Sequence, residues 1–405
     1  MKKISKGGIF VKIPNDPFIG THYIGKEEIK AVKKVLKSKS LFRYHGPNLQ
    51  YKTDKFEKNL AEYLGVKYVL ACTSGGAALK LACIASDIGC GDEVIMSPFT
   101  FIASASEVLS CGAIPVFVDI DNTMNIDYKK IEEKITDKTK AIMAIHMQGQ
   151  PCNMIEINKI AKKHNLVVIE DTAQAFGASI NNKKVGTLGN IGAFSLQAGK
   201  TITCGEGGFL ATNNKQVYEK AKMYHDNGGY RNGCNYPTWE NGKTFFGENF
   251  KITEIQSAIA LEQLNKIEKI IRKQNDTYYK IVNNIDTKFY NIRPFVIGSK
   301  PIFTSLAIEF KSEKECSDFI KKMNNKGIGF NLYCSNLISN FDTFIKKQSW
   351  HTSGFPYNVS HYRESDLSYS YSLFKRVAFY NLSASLKNKH IKYIIKCLKE
   401  YKDEL

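Results

Sequence analysis

Lys200 has unusual neighbours for a charged side chain. The run Phe194-Ser195-Leu196-Gln197-Ala198-Gly199-Lys200-Thr201-Ile202-Thr203-Cys204-Gly205-Glu206-Gly207-Gly208 surrounds it with small and apolar residues. A lysine amine withdrawn from water has a lowered pKa and becomes a nucleophile towards an aldehyde; a solvated loop lysine is the ordinary alternative. Three other segments offer complementary chemistry. Thr73-Ser74-Gly75-Gly76 lies between an apolar run and a helical one. Small residues there let backbone N–H groups approach a phosphate at the positive end of a helix, although a plain strand-to-helix turn has the same composition. Phe101, in Phe99-Thr100-Phe101, offers a ring that could cover a planar ligand or simply fill core. In Ile169-Glu170-Asp171-Thr172-Ala173-Gln174, Asp171 could hold a protonated ring nitrogen and Gln174 could donate to a phenolic oxygen. Asp171 could also cap a helix.

Phosphate cup, ring cover, pyridinium partner and nucleophilic amine together make up what pyridoxal phosphate requires of a protein. Their positions depend on the elements between them. Apolar runs at Tyr68–Ala71, Glu93–Met96, Ile114–Val118, Ala141–His146, Val167–Glu170 and Ala193–Leu196 alternate with helices near Ala77–Ser86, Ala103–Cys111, Tyr128–Ile135 and Met154–His164. That alternation predicts a largely parallel sheet wrapped by helices, with the ligand at the carboxyl ends of the strands. All four segments follow such runs. Residues 1–25 read as an irregular arm, with helices at Lys26–Lys37 and Lys52–Leu64. Glu254–Val282 reads as one long helical tract. A smaller α+β unit follows, with strands near Phe303–Phe310 and Gly327–Tyr333 and helices near Lys314–Asn324, Tyr371–Phe374 and Lys387–Lys402. The division is thus an arm (1–25), a large domain (26–284) and a small C-terminal domain (285–405).

A length of 405 residues suits two domains. The net charge of +18 comes from 57 Lys+Arg against 39 Asp+Glu, and the lysines are scattered along amphipathic stretches. This describes a solvated basic surface, with attraction of anionic substrates as a secondary role; no nucleic-acid-binding module is recognisable. None of the 10 cysteines forms a CxxC pair, which favours buried thiols in a reducing cytoplasm over disulfides or a metal site. The opening MKKISKGGIFVK lacks the apolar core of a signal peptide, and no apolar run is long enough for a membrane span. The terminal KDEL is an address read only after export, so a cytoplasmic location is expected. His146 ends a strand near the site and reads as a core histidine at least as readily as a functional one, and His225 falls near the expected dimer boundary; neither is taken as catalytic.

The segments TSGGAALKLA, GDEVIMSPFTFIASASEVLSCGAIPVFVDID, VVIEDTAQAFGA, GNIGAFSLQAGKTITCGEGGFLATN and GENFKITEIQSAIALEQL resemble the DegT/DnrJ/StrS family of fold-type-I sugar aminotransferases, over roughly residues 20–285. The resemblance implies an α/β fold: a mostly parallel seven-stranded sheet sandwiched by helices, with a smaller α+β C-terminal domain. It implies that Lys200 forms the Schiff base with pyridoxal 5′-phosphate and that Asp171 pairs with the pyridinium nitrogen. Gln174 would contact the phenolic oxygen, Phe101 would stack on the ring, and Gly75, Gly76 and Ser195 would take the phosphate. Asn249 resembles an asparagine that reaches the phosphate of the neighbouring subunit, which implies a homodimer with shared active sites. Where the family usually has threonine this chain has Gly76, so a hydroxyl is lost from the phosphate cup. The implied reaction moves an amino group from glutamate or glutamine to a keto sugar, usually nucleotide-linked, for surface polysaccharide or secondary metabolite biosynthesis. Two departures open alternatives. GIGFNLYCSNL replaces a His-Tyr-Pro-type segment, and Leu41-Phe42-Arg43-Tyr44 resembles a subgroup acting on free keto-cyclitols or an octulosonate. Arg43 and Tyr44 are therefore candidate substrate contacts, since the planar guanidinium fork suits a carboxylate or a phosphate. A non-catalytic regulator on the same fold is a further alternative, which retention of Lys200, Asp171 and Gln174 disfavours.

Overall fold

The alternating pattern folds as helices on both faces of a sheet in a computed structural model that describes residues 13–231, 236–240, 242, 244–332, 337–359 and 366–404. The seven strands lie in the spatial order Tyr68–Cys72, Gly208–Thr212, Ile191–Ser195, Val167–Asp171, Thr139–Ile145, Glu93–Met96 and Ile114–Phe117. Only Gly208–Thr212 runs antiparallel to its neighbours. The remaining pairings are parallel, as crossover helices require. Gly208–Thr212 was not among the expected strands, because its opening glycines read as a turn. Glycine is needed there for close approach: a Cβ on Gly208 would lie 2.3 Å from the Ser74 carbonyl oxygen.

The period of two along Val167–Asp171 decides which carboxylate serves the site. Val168 and Glu170 face one side of the sheet, and Ile169 and Asp171 the other. On the Glu170 side its carboxylate accepts from the backbone N–H groups of Gly186, Leu188 and Gly189 and from His146 Nε2, which closes the loop before Ile191. On the Asp171 side lie the helices Gly75–Ala85 and Ala103–Ser110. Helix Gly75–Ala85 is apolar nearly all round and buries Ala78, Leu79, Leu81, Ala82 and Cys83. Its entry angle is fixed by Ser74, whose Oγ accepts from the Ala77 N–H at 3.0 Å.

The expected tract Glu254–Val282 is two helices, Glu254–Leu264 and Ile267–Val282. Tyr128–Ile135 is a pair of 3-10 turns rather than a helix. The expected strand Gly327–Tyr333 reduces to a single bridge between Asn331 and Phe379, and Tyr333 lies outside the described residues. The three-stranded sheet of the C-terminal part comprises Asn291–Ile292, Ser305–Glu309 and Val377–Asn381. Its own core includes Phe303, Leu306, Ile308, Phe319, Tyr380 and Leu398.

Chain beyond residue 285 also packs against elements around the seven-stranded sheet. Ser299–Lys300 pairs with Ser179–Ile180. Buried Arg293 donates to the Thr123 and Met147 carbonyls and to Asn125 Oδ1. Phe344 and Phe374 pack on Phe117 and Phe99. Asp119, at the end of a large-domain strand, caps helix Ser368–Phe374 by accepting from the N–H groups of Tyr369 and Ser370. Among the described residues no helix is long and apolar enough to cross a membrane.

Candidate active site

A cavity of about 440 Å³ opens at the carboxyl ends of the central strands. Its walls include Gly75, Gly76, Phe101, Asp171, Gln174, Ser195 and Lys200. Residues spread over 126 positions of chain thus meet in one place, each delivered by a strand end or a helix start.

Lys200 comes from the loop that leaves strand Ile191–Ser195 and returns as Gly208–Thr212. The loop is tied down at both ends. The Leu196 N–H donates to the Gly207 carbonyl at 2.8 Å, and the Thr203 Oγ1 donates to the Leu196 carbonyl at 2.8 Å. The N-terminal arm clamps it from outside: the Gly20 N–H donates to the Lys200 carbonyl at 2.8 Å, and Thr21 Oγ1 donates to that of Ala198 at 2.9 Å. Burial holds the Lys200 pKa below the ordinary lysine value, against the opposing pull of Asp171 and Glu206. A larger share of neutral amine follows, as covalent capture of an aldehyde requires.

Asp171 is 6% exposed and held in position. Its Oδ1 accepts from the Ala173 N–H at 3.0 Å, and its Oδ2 accepts from Ser104 Oγ at 2.7 Å. Ser104 has one proton to give, so the 2.7 Å contact between Thr100 and Ser104 has Thr100 as donor. Ser104 escaped the sequence reading; the signal was its one-turn spacing from Thr100, beside Phe101. Gln174 Oε1 accepts from the Gln148 N–H at 3.0 Å, which leaves the NH2 end of the amide to serve as donor.

Part of the wall is the first turn of helix Gly75–Ala85, where backbone N–H groups lack helical acceptors and suit an anion such as a phosphate. Gly75 has to be glycine: a Cβ there would lie 2.7 Å from Ser195 Cβ. Phe101 is 65% exposed, an apolar ring left bare on the cavity wall. A bare phenyl beside a buried carboxylate and a helix N-terminus fits a flat, phosphorylated heterocycle.

Three expected residues do not line this cavity. Arg43 is 3% exposed and its guanidinium is engaged by Glu57, with Nη1 and Nη2 donating at 2.9 and 2.8 Å. Glu57 Oε1 also accepts from the Ala71 N–H, so the pair fastens helix Lys52–Leu64 to the first strand. Within its own chain, Arg43 thus has a structural partner and does not line the cavity. Tyr44 lies between two guanidiniums, 3.9 Å from Arg231 and 4.9 Å from Arg43, beside a separate cavity of about 140 Å³. Asn249 bridges Asp226 through its backbone and is not among the residues that line the Lys200 cavity of its own chain.

The two histidines behave as core residues. His146 borders the cavity, but its Nδ1 accepts from the Cys152 N–H, so Nε2 carries the proton and donates to Glu170. His225 is fully buried, and burial followed by the nearby Arg43 charge depresses its pKa to about 3.

Comparison with known proteins agrees with this geometry. The DegT/DnrJ/EryC1/StrS aminotransferase family profile matches residues 22–399. A GDP-perosamine synthase of Caulobacter vibrioides is 44% identical over 216 residues, 53% of this chain and 57% of that protein, so the match spans little more than half of its length. The spore coat polysaccharide biosynthesis protein SpsC of Bacillus subtilis is 36% identical over 283 residues, 67% of this chain and 70% of that protein. Among solved structures, an aminotransferase from Psychrobacter cryohalolentis superposes with a TM-score of 0.83 at 29% identity, over 96% of this chain and 99% of that one. Helicobacter pylori PseC, an aminotransferase involved in the biosynthesis of pseudoaminic acid, gives 0.80 at 25% identity, over 98% and 100%. The chain belongs to the DegT/DnrJ/EryC1/StrS aminotransferase family.

Proposed function

We propose that this protein is a pyridoxal-phosphate-dependent aminotransferase that moves an amino group from glutamate or glutamine to a nucleotide-linked keto sugar, acting as a cytoplasmic homodimer with shared sites. The observation that carries the reading is the meeting of a desolvated amine, Lys200, with the buried acid Asp171 and the bare ring of Phe101 in one cavity.

Bound pyridoxal phosphate supplies an aldehyde carbon and a ring that accepts an electron pair. Lys200 Nζ is the amine that would hold that aldehyde, and when free it would serve as base and then acid for the donor Cα proton. Asp171, aimed by Ser104, would face the ring nitrogen and favour its protonated form. Phe101 would cover the ring, the Gln174 NH2 would serve the phenolic oxygen, and Gly75, Gly76 and Ser195 would hold the phosphate. Asn249 would serve the phosphate in the partner subunit.

The names of the relatives, a GDP-perosamine synthase and a spore coat polysaccharide protein, support an activated-sugar acceptor. The pairing of Arg43 with Glu57 weighs against that motif recognising a free cyclitol or octulosonate. A screen of nucleotide-linked keto sugars with glutamate and glutamine, counting amino sugar formed per 2-oxo acid released, tests the reading. One-to-one stoichiometry supports it; loss of a hydroxyl without amine transfer overturns it in favour of elimination.

A further inference from the structure

Gly76 stands second in helix Gly75–Ala85 on the cavity wall and brings no side chain to it. Its missing side chain is replaced from elsewhere. A Cβ built on Gly76 would lie 2.7 Å from Oε1 of Glu107 and 3.5 Å from its Cδ. The Glu107 carboxyl group therefore occupies the space next to Gly76 that a side chain at that position would take. Glu107 projects from helix Ala103–Ser110, one turn beyond the Ser104 that holds Asp171.

The groups around this carboxyl come from four elements. Lys80, on the same helix as Gly76, is engaged by Glu248 at 2.5 Å. Glu248 also accepts from the Tyr224 hydroxyl at 2.9 Å. Ser110 Oγ lies 3.3 Å from Glu107 Oε2, and the thiols of Cys83 and Cys111 are close enough to feel its charge. Burial raises the Glu107 pKa; Lys80 and Ser110 oppose the rise, and Glu248 adds to it. A carboxylate beside a phosphate dianion repels it, whereas a carboxylic acid is a hydrogen-bond donor.

We propose that Glu107 is a further cofactor-binding residue, its carboxyl group in the acid form donating a hydrogen bond to the phosphate in place of the hydroxyl that threonine at position 76 would supply. The proposal rests on the pyridoxal phosphate reading above. A bound dianion stabilises the Glu107 proton further, so binding takes up a proton at a pH where free Glu107 is ionised. Affinity then falls as pH rises through the titration of free Glu107.

Calorimetric titration of the apoprotein with pyridoxamine phosphate, which binds without reacting with Lys200, tests this directly. Runs in buffers of different ionisation enthalpy count the protons taken up. The E107Q variant, which keeps a donor but cannot titrate, should match wild type at low pH and hold its affinity where wild type weakens. It should also take up fewer protons. The E107A variant should bind about 5- to 10-fold more weakly at low pH, the loss expected for one hydrogen bond. The double variant G76T/E107A should recover affinity and lose the extra pH dependence. Equal proton uptake by wild type and E107Q overturns the proposal, as does E107A binding as tightly as wild type at every pH. If E107A fails to fold, the comparison of wild type with E107Q still decides. Wild-type protein that ignores pyridoxamine phosphate at all pH values overturns the cofactor reading itself.

Discussion

Ser104 Oγ and Asp171 Oδ2 are 2.7 Å apart, and the hydroxyl that spans them is itself steered by Thr100. An acid that must face a ring nitrogen gains direction from this neighbour. Ser104→Ala should leave the fold intact and lower kcat by roughly 10-fold, the range for a hydrogen bond to a charged group. Asp171→Asn should cost more, because the charge itself is lost. Combining the two should add little to Asp171→Asn alone, since both act through one carboxylate. Steady-state kinetics on the three variants decides this; full additivity would show that Ser104 acts elsewhere.

Lys200 provides a pH signature whose sign can be worked out. Burial lowers its pKa, while the negative charges of Asp171 and Glu206 raise it. The rate at which apoprotein captures pyridoxal phosphate should rise with pH and level off below the ordinary lysine value of 10.5. Removing either negative charge removes a term that favours the ammonium. Asp171→Asn and Glu206→Gln should each move the midpoint to lower pH, while Lys200→Ala should show neither visible absorbance nor turnover. Stopped-flow absorbance across the pH range reads all four; a midpoint moved upward by either substitution contradicts the electrostatic account.

The sequence disclosed the site far better than its margins. Lys200, Asp171, Gln174, Phe101 and the Gly75-Gly76 turn were legible because each follows an apolar strand directly, and open α/β sheets gather such ends in one place. The ion pair of Arg43 was not legible, because its partner, Glu57, sits fourteen residues away and becomes visible only once helix Lys52–Leu64 packs on the first strand. The break between Leu264 and Ile267 left no mark either, since Asn265 and Lys266 keep dihedral angles near the helical range and neither is proline or glycine. The role of Glu107 could not be read from position 76, because nothing local connects the two residues.

Two glycines separate steric fit from backbone freedom. Gly75→Ala would push a methyl to 2.7 Å from Ser195 Cβ, so it should weaken cofactor binding about 10-fold or more by moving the helix start that cups the phosphate. Gly65, at φ 72 with nothing within 4 Å of a new Cβ, carries only a conformational demand. Gly65→Ala should cost about 1 kcal/mol of stability and leave cofactor affinity unchanged. Denaturant unfolding alongside cofactor titration distinguishes the two; equal effects of both variants on affinity would remove the steric argument for Gly75.

Arg43 offers a test of position against motif. With its side chain 3% exposed and Glu57 at 12%, loss of the guanidinium leaves a carboxylate without its main partner in poorly hydrated surroundings. Arg43→Met should destabilise the protein by about 3 kcal/mol or more, as for other broken buried pairs. The KM for the sugar acceptor should stay within about twofold of wild type, too small a change for a lost charged contact. A stable Arg43→Met protein with a sharply raised KM would return this residue to the substrate site.

Asn249 is the residue whose proposed role depends on a second copy of the chain. Its backbone bridges Asp226, and Lys251 two residues on pairs with Asp226 at 2.6 Å, so the segment is firmly held, and Asn249 does not line its own chain's cavity. If Asn249 completes the partner's phosphate cup, mixing Lys200→Ala protein with Asn249→Ala protein creates heterodimers with one wholly intact site and one doubly damaged site. Random re-pairing of equal amounts makes half the dimers mixed and one site in two of those intact, so activity should climb towards roughly a quarter of wild type, well above the mean of the two parents. Assaying the mixture before and after subunit exchange isolates the effect. Activity that never exceeds the parental mean, with exchange verified by mass, would place Asn249 and Lys200 in the same subunit's site or outside it altogether.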